Sequence, residues 1–230
     1  MAAWFVGLLL AAAAATVAAP PAAEIPDALI VLETAPGTPG SDPTSAPPRF
    51  VLLKDGQLFV GGTGRLEAGR LDKPEVQALR RRADALRKAA GRVGTLAFGG
   101  DEHRVARLRL PEDGPGEITI TGDPALAPPA LRPLAGLVSE LLSFDHPSLS
   151  PYTPGSYAVR AREGDLVGGC RPWRFPFSVE DALSGPRVVT AGEAEGWPTG
   201  AWPASVCAGD KRYVVTLRPL LPGERPAPRE

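Results

Sequence analysis

The chain has 230 residues and a formal net charge of -1, with 25 Lys and Arg against 26 Asp and Glu, and it is rich in proline (27) and glycine (26). Such a balance argues against a nucleic-acid binder, which would normally show a net basic domain or a basic stripe. The length allows one large core or two small ones, with many irregular connections.

The first residues, "MAAWFVGLLLAAAAATVAAPPAAE", form an uncharged apolar run that ends in small residues. That is the shape of a secretory signal peptide over residues 1–19, with cleavage near Thr16-Val17-Ala18 or just after Ala19. The positive n-region is only the amino terminus itself, so an uncleaved anchor is the alternative, weakened by the alanine content. No cysteine near the junction can carry a lipid. Later segments fall short of a transmembrane length, which predicts a soluble exported protein, secreted or periplasmic, with no stable membrane span after signal cleavage.

Ala28–Glu33 reads as a strand, followed by the loop "TAPGTPGSDPTSAPP". In "RFVLLKDGQLFVGG", Asp55-Gly56 between two apolar runs predicts a hairpin with a type I′ turn, with strands near Arg49–Lys54 and Gln57–Gly61. Asp72 as N-cap, Glu75 as its capping-box partner and the Leu71/Val76 staple predict a helix start. Val76, Leu79, Ala83, Leu86 and Ala90 make one apolar stripe, and Gly91 is a stop. Arg80, Arg81, Arg82, Arg87 and Lys88 occupy the other face, as a solvated surface or as a contact for an anionic envelope polymer.

Strands are expected at Thr95–Phe98, His103–Leu110 and Glu117–Thr121, the last two joined by "PEDGPG". A second helix over residues 130–143 carries Leu131, Leu134, Val138, Leu141 and Leu142 on one side, with Pro133 confined to its first turn. The fold class is therefore α+β: a mainly antiparallel sheet covered by two amphipathic helices over residues 24–145. A smaller, less regular β-rich lobe follows over residues 155–222, and 223–230 form a flexible tail. In that lobe Ser156–Ala161, Arg187–Thr190 and Lys211–Arg218 read as strands. Ser178 with Asp181, and Thr190 with Glu193, carry helix-start signatures.

The two cysteines, Cys170 and Cys207, are expected to form a disulfide in an oxidising compartment; unpaired buried thiols and a redox pair are the alternatives. The bridge would enclose Trp173, Trp197 and Trp202, two of them in "GWPTGAWP". These rings are candidate binding residues for a protein partner or an envelope glycan, or else they fill the space under the disulfide.

Catalytic and metal chemistry find little support. His103 in "GGDEHRV" and His146 in "SFDHPS" are the only histidines, and no HxxxH or CxxC spacing accompanies them. Ser143, Asp145 and His146 are near in sequence, but triads are defined by geometry. The glycines of "GGTG" and "FGGDEH" lack the lysine and Ser/Thr of a phosphate loop. No catalytic residue, metal site or cofactor is assigned.

The order "FVLLKDGQLFVGG", helix, "GDPALAPPALRPLAGLVSELL", "PYTPGSYAVRA", "CRPWRFPFSVEDAL" and "YVVTLRPLLPGE" resembles a family of uncharacterised secreted proteins and lipoproteins of bacteria. The Asp55-Gly56 hairpin and the ending Arg218–Glu224 are its most specific pieces. The resemblance implies export and a shared α+β architecture, and it carries over no catalytic residue. Several similar proteins place a further cysteine after the ending, which this chain lacks, so pairing Cys170 with Cys207 rests on there being two. The expected function is an exported non-catalytic module that binds or scaffolds a partner, an unknown protein or envelope polymer, in the cell envelope or outside the cell. The alternative is an envelope hydrolase using His146 or His103.

Overall fold

The computed structural model describes residues 24–35, 46–62, 66–90, 94–100, 105–110, 117–166, 169–198 and 203–226. The leader at 1–19, His103, Trp202, the Gly91 stop, Gly64 and the turn 111–116 lie outside them, as do the side chains of Arg87 and Lys88.

The first region is an eight-stranded sheet with two helices on one face. Its strands are β1 (Ala28–Ala35), β2 (Phe50–Leu53), β3 (Gln57–Val60), β4 (Glu67–Arg70), β5 (Gly94–Ala97), β6 (Val105–Arg109), β7 (Glu117–Thr121) and β8 (Ser150–Pro151); its helices are α1 (Lys73–Ala90) and α2 (Arg132–Leu142). The strand order is β5-β7-β6-β1-β2-β3-β4-β8, antiparallel throughout except for the β5–β7 pair. Central β1 alternates from Ile30 onward, after a register shift between Ala28 and Ile30 that puts Leu29 in the same core as Ile30. Ile30 and Leu32 join the helix-side core with Phe50, Leu52, Leu58, Leu108, Ile120 and the apolar stripes of both helices, while Val31 faces the other way. This period-2 partition is what a sheet covered on both faces at its centre requires.

The β2–β3 hairpin forms where Asp55-Gly56 places it, but the turn differs from the expected type I′. Three residues connect the strands, Gly56 N donates to Leu53 O at 3.0 Å, and Gly56 alone has positive φ, +86°. Asp55 is not left-handed, and its Oδ1 accepts from Gln57 N at 2.9 Å. A three-residue loop ending in a left-handed glycine is the next commonest solution for this twist. Gly56 is required twice over, since a Cβ there would stand 2.7 Å from Leu71 O.

The start of α1 follows the sequence closely. Asp72 Oδ1 accepts from Glu75 N and Glu75 Oε2 from Asp72 N, both at 2.8 Å. Leu79, Ala83 and Leu86 are buried. On the opposite face, Arg82 is not merely solvated: it makes a bidentate pair with Glu140 of α2, at 2.9 and 2.7 Å.

The second region is a five-stranded sheet of β9 (Ser156–Glu163), β10 (Arg171–Pro172), β11 (Arg187–Thr190), β12 (Ala204–Ala208) and β13 (Lys211–Pro219), ordered β10-β12-β13-β9-β11, with helix α3 (Val179–Ser184). Only β10–β12 is parallel. The capping box of Ser178 and Asp181 starts α3. Thr190 and Glu193 make the same reciprocal bonds, at 2.7 and 3.3 Å, yet residues 191–196 form turns that end at Gly196 with φ +76°. Overall, the α+β class with mainly antiparallel sheets holds.

Two boundaries shift. The linker after residue 145 is not free: β8 pairs with the edge strand β4, and the Tyr152 ring meets Phe59 edge-on at 5.3 Å. The tail expected from 223 is part of the fold as far as Arg225, which bonds Glu24 in both directions at 3.0 and 2.9 Å. Leu221 is buried with Val31, Val51 and Phe59 on the underside of the first sheet. Arg218 and Glu224, the two ends of the "RPLLPGE" ending, form an ion pair at 2.7 Å with side chains 5% and 0% exposed. Its N–H is poorly aligned, leaving Glu224 Oε1 without a hydrogen bond, while Oε2 accepts from Leu221 N at 2.9 Å. The motif is thus a clasp that fastens β13 to the first sheet.

Candidate functional site

The disulfide joins Cys170 and Cys207 with their Cα atoms 5.5 Å apart and closes a loop of sequence separation 37. It fixes the parallel pairing of Arg171 with Val206 and of Pro172 with Cys207. No regular hairpin enforces that pairing. Closing a loop of this length is worth about 4 kcal/mol in the chain-entropy picture.

Two of the tryptophans pack. Trp197 stacks on Phe175 at 4.6 Å, Phe175 lies parallel to Phe177 at 5.6 Å, and Trp173 meets both phenylalanines edge-on at 5.1 and 5.7 Å. The Trp173 indole N–H donates to Phe177 O. Phe175 is buried, and Trp173, Trp197 and Phe177 are half-buried against the core of the second sheet. Offset and edge-to-face contacts of this kind fill volume that short strands and a one-and-a-half-turn helix leave open.

His146 has company that the sequence did not suggest. Ser143 Oγ is spent on Ser139 O at the end of α2, at 3.0 Å, so the neighbouring Ser143, Asp145 and His146 do not assemble. Instead His146 Nε2 lies 3.2 Å from Glu75 Oε1, and Nδ1 lies 2.8 Å from Ser148 Oγ. The Ser148 amide also points at Nδ1, at 3.2 Å, which makes that nitrogen an acceptor and puts the ring hydrogen on Nε2, toward Glu75. The Asp72 amide, opposed by partial desolvation and helped by the His146 ring, holds the Glu75 carboxyl below the ordinary glutamate range.

This acid–His–Ser chain is wired as a support. Ser148 Oγ accepts from Arg70 N at 3.0 Å, and a Cβ on Gly69 would stand 2.5 Å from it, so the hydroxyl is pressed against β4 rather than aimed into a cleft. The network ties the start of α1, the loop after α2 and the edge of the sheet together. Among the described residues, no group of three His, Cys, Asp or Glu side chains is placed to hold a metal ion, and no helix is long and apolar enough to cross a membrane.

A concave feature lies beside this network. A cleft of about 640 Å³ opens between the β2–β3 turn, β4 and the first two turns of α1. Leu29, Leu71 and Val76 line its apolar floor, and Lys54, Asp55, Arg70, Lys73, Gln77 and Arg80 its rim. The rim is built by local rules: the hairpin turn projects Lys54 and Asp55, and the helical spacing of Lys73, Gln77 and Arg80 puts them on one side of α1. Arg70 grips the turn, donating to Asp55 O at 2.6 Å and to Asp55 Oδ2 at 3.0 Å. Lys54 reaches Asp27 at only 3.6 Å, with both side chains at least half exposed, and Lys73 has no acidic partner among the described residues.

No family model, no curated protein and no solved structure matches the chain. Of the residues singled out from the sequence, Cys170 and Cys207 are joined, Trp173 and Trp197 share one aromatic cluster, and His146 stands apart from them by the first sheet. The cleft was missed. Its cations are spread over residues 54 to 80 on three elements, and the usable signal was the Lys73/Gln77/Arg80 side of a helix whose start was already legible.

Proposed function

We propose that the protein is a non-catalytic module, exported from the cytoplasm by cleavage of the segment 1–19, that holds a partner in the cell envelope or outside the cell. The observation that carries this reading is the cleft between the β2–β3 turn and α1: a concave, apolar-floored recess with a charged rim is the usual form of a binding site. The Cys170–Cys207 disulfide is consistent with an extracytoplasmic location.

The test uses the natively purified, oxidised protein, immobilised and challenged with envelope fractions, with Gln77→Trp as the blocked-cleft control. Retention of a component by the native chain and its loss with the variant is the expected result. Equal retention by both would remove the cleft from the account.

A second reading, an envelope hydrolase, has one observation in its favour, the placing of His146 between Glu75 and Ser148. The Ser148 hydroxyl accepting from Arg70 N and packing on Gly69 speaks for a supporting role. Ser148→Ala separates the two: hydrolysis of envelope substrates that the variant abolishes while the fold persists would establish the enzyme.

A further inference from the structure

We infer that the cleft takes an anionic polymer, one that repeats phosphodiester or carboxylate groups along a carbon backbone; this rests on the reading of the cleft as the binding site and names its ligand. The chain as a whole is almost neutral. The lining nevertheless carries four cations, Lys54, Arg70, Lys73 and Arg80, against the single carboxylate of Asp55. A local excess of cations of this kind favours negative charge in a ligand at the cleft.

Three features set the ligand's size and character. Lys73 and Arg80 are seven residues apart on α1, on the order of 10 Å along the helix at 1.5 Å per residue. One phosphate or carboxylate cannot meet both, whereas a repeating anion can. Arg81, exposed on the next position, extends the charge beyond the rim. Between the charged ends, Leu29, Leu71 and Val76 offer an apolar floor, which suits the carbon body of a sugar or polyol between its anionic groups and gives an all-ionic ligand no partner.

Three of the four cations, Arg80 among them, already make interactions within the protein, so a ligand must compete with or add to those. Lys54 and Asp27 stand 3.6 Å apart with side chains 50% and 75% exposed, a geometry of little net worth that a ligand anion can replace. Arg70 is different. Its bonds to Asp55 hold the β2–β3 turn against β4, so it shapes the wall of the cleft more than it offers charge.

The experiment measures binding of the oxidised full chain to three immobilised polymers: poly(glycerol phosphate), polyglucuronate and neutral dextran. Binding to at least one polyanion but not to dextran is expected, with affinity falling as salt rises; which polyanion binds identifies the anionic group. The double variant Lys73→Glu/Arg80→Glu should weaken that binding by about tenfold or more, because it reverses two charges at the rim. Lys211→Glu, a charge reversal on the second sheet, should leave it unchanged. Circular dichroism and melting temperature confirm that each variant folds. No binding to either polyanion, or binding that the double variant leaves intact, overturns the inference. In that case the blocked-cleft variant decides the broader reading separately: an envelope component that Gln77→Trp alone releases keeps the cleft as a binding site for an uncharged or cationic ligand.

Discussion

The two sheets of this protein are stabilised by different means. In the first, helices α1 and α2 bury continuous stripes over β1, β2 and β3, and the largest fully buried side chains, Phe50, Ile30, Leu32, Leu137 and Leu141 among them, cluster there. In the second, a six-residue helix and short strands cover less, and the structure relies on a disulfide, on reciprocal side-chain caps and on a stack of aromatic rings. The comparison teaches that periodic apolar burial and covalent or capping constraints are alternative solutions to the same entropy problem, and that they respond to different insults.

Removing the staple should hurt the second sheet most. Cys170→Ala/Cys207→Ala is expected to cost about 4 kcal/mol. Native-state hydrogen exchange should show protection lost across β9 to β13 while β1, β2 and β3 stay protected. A uniform loss through both sheets would mean that they unfold as one unit.

The converse cut is Leu137→Ala in α2, a fully buried side chain of the core between the helices and the first sheet. Its expected cost is about 3 kcal/mol, read from urea denaturation. The protein should then lose the first sheet at lower urea with the disulfide intact.

How far each region could be read from the sequence follows the same division. Period-3.6 stripes and the Asp72/Glu75 pair announced α1 and its first residue, and the Asp-Gly turn announced the hairpin. Strand β4, "EAGR", escaped because no residue in it is fully buried; backbone bonds to β3 and β8 make it a strand. Strand β12, "ASVCA", escaped because small residues carry no alternation, and its place is set by β13 and the disulfide. The His146–Ser148–Glu75 network joins residues 71 positions apart, a distance at which no local pattern speaks. The Arg218–Glu224 clasp lay in plain view as a motif, yet only the fold shows that its ends meet in the interior.

Smaller effects sharpen the picture. Asp72→Ala removes the N-cap of α1 and should cost about 1 kcal/mol, with the loss confined to the first region. Glu75, Asp165, Asp181 and Glu193 all have carboxyls held below the ordinary range. For Asp165, partial burial pushes upward and is outweighed by bonds from Arg212 and Ser205. Lowered folded-state values mean that the unfolded chain binds protons first, so this stabilisation is present above the unfolded carboxylate range and is lost as pH falls through the folded values. Melting temperature should decline below about pH 4, and Glu75→Gln should flatten that decline. The opposite sign holds for Tyr152, whose phenol is pushed up by burial, by the Glu224 charge and by Tyr157. Its contribution is complete below the unfolded tyrosine value and fades as pH rises above about 10.

The most direct measurement is intact-mass analysis of natively purified protein before and after alkylation under denaturing, non-reducing conditions. The account predicts a mass lacking residues 1–19 and no alkylated thiol, with Cys170 and Cys207 released only by a reductant. An intact leader together with two alkylatable thiols would contradict it.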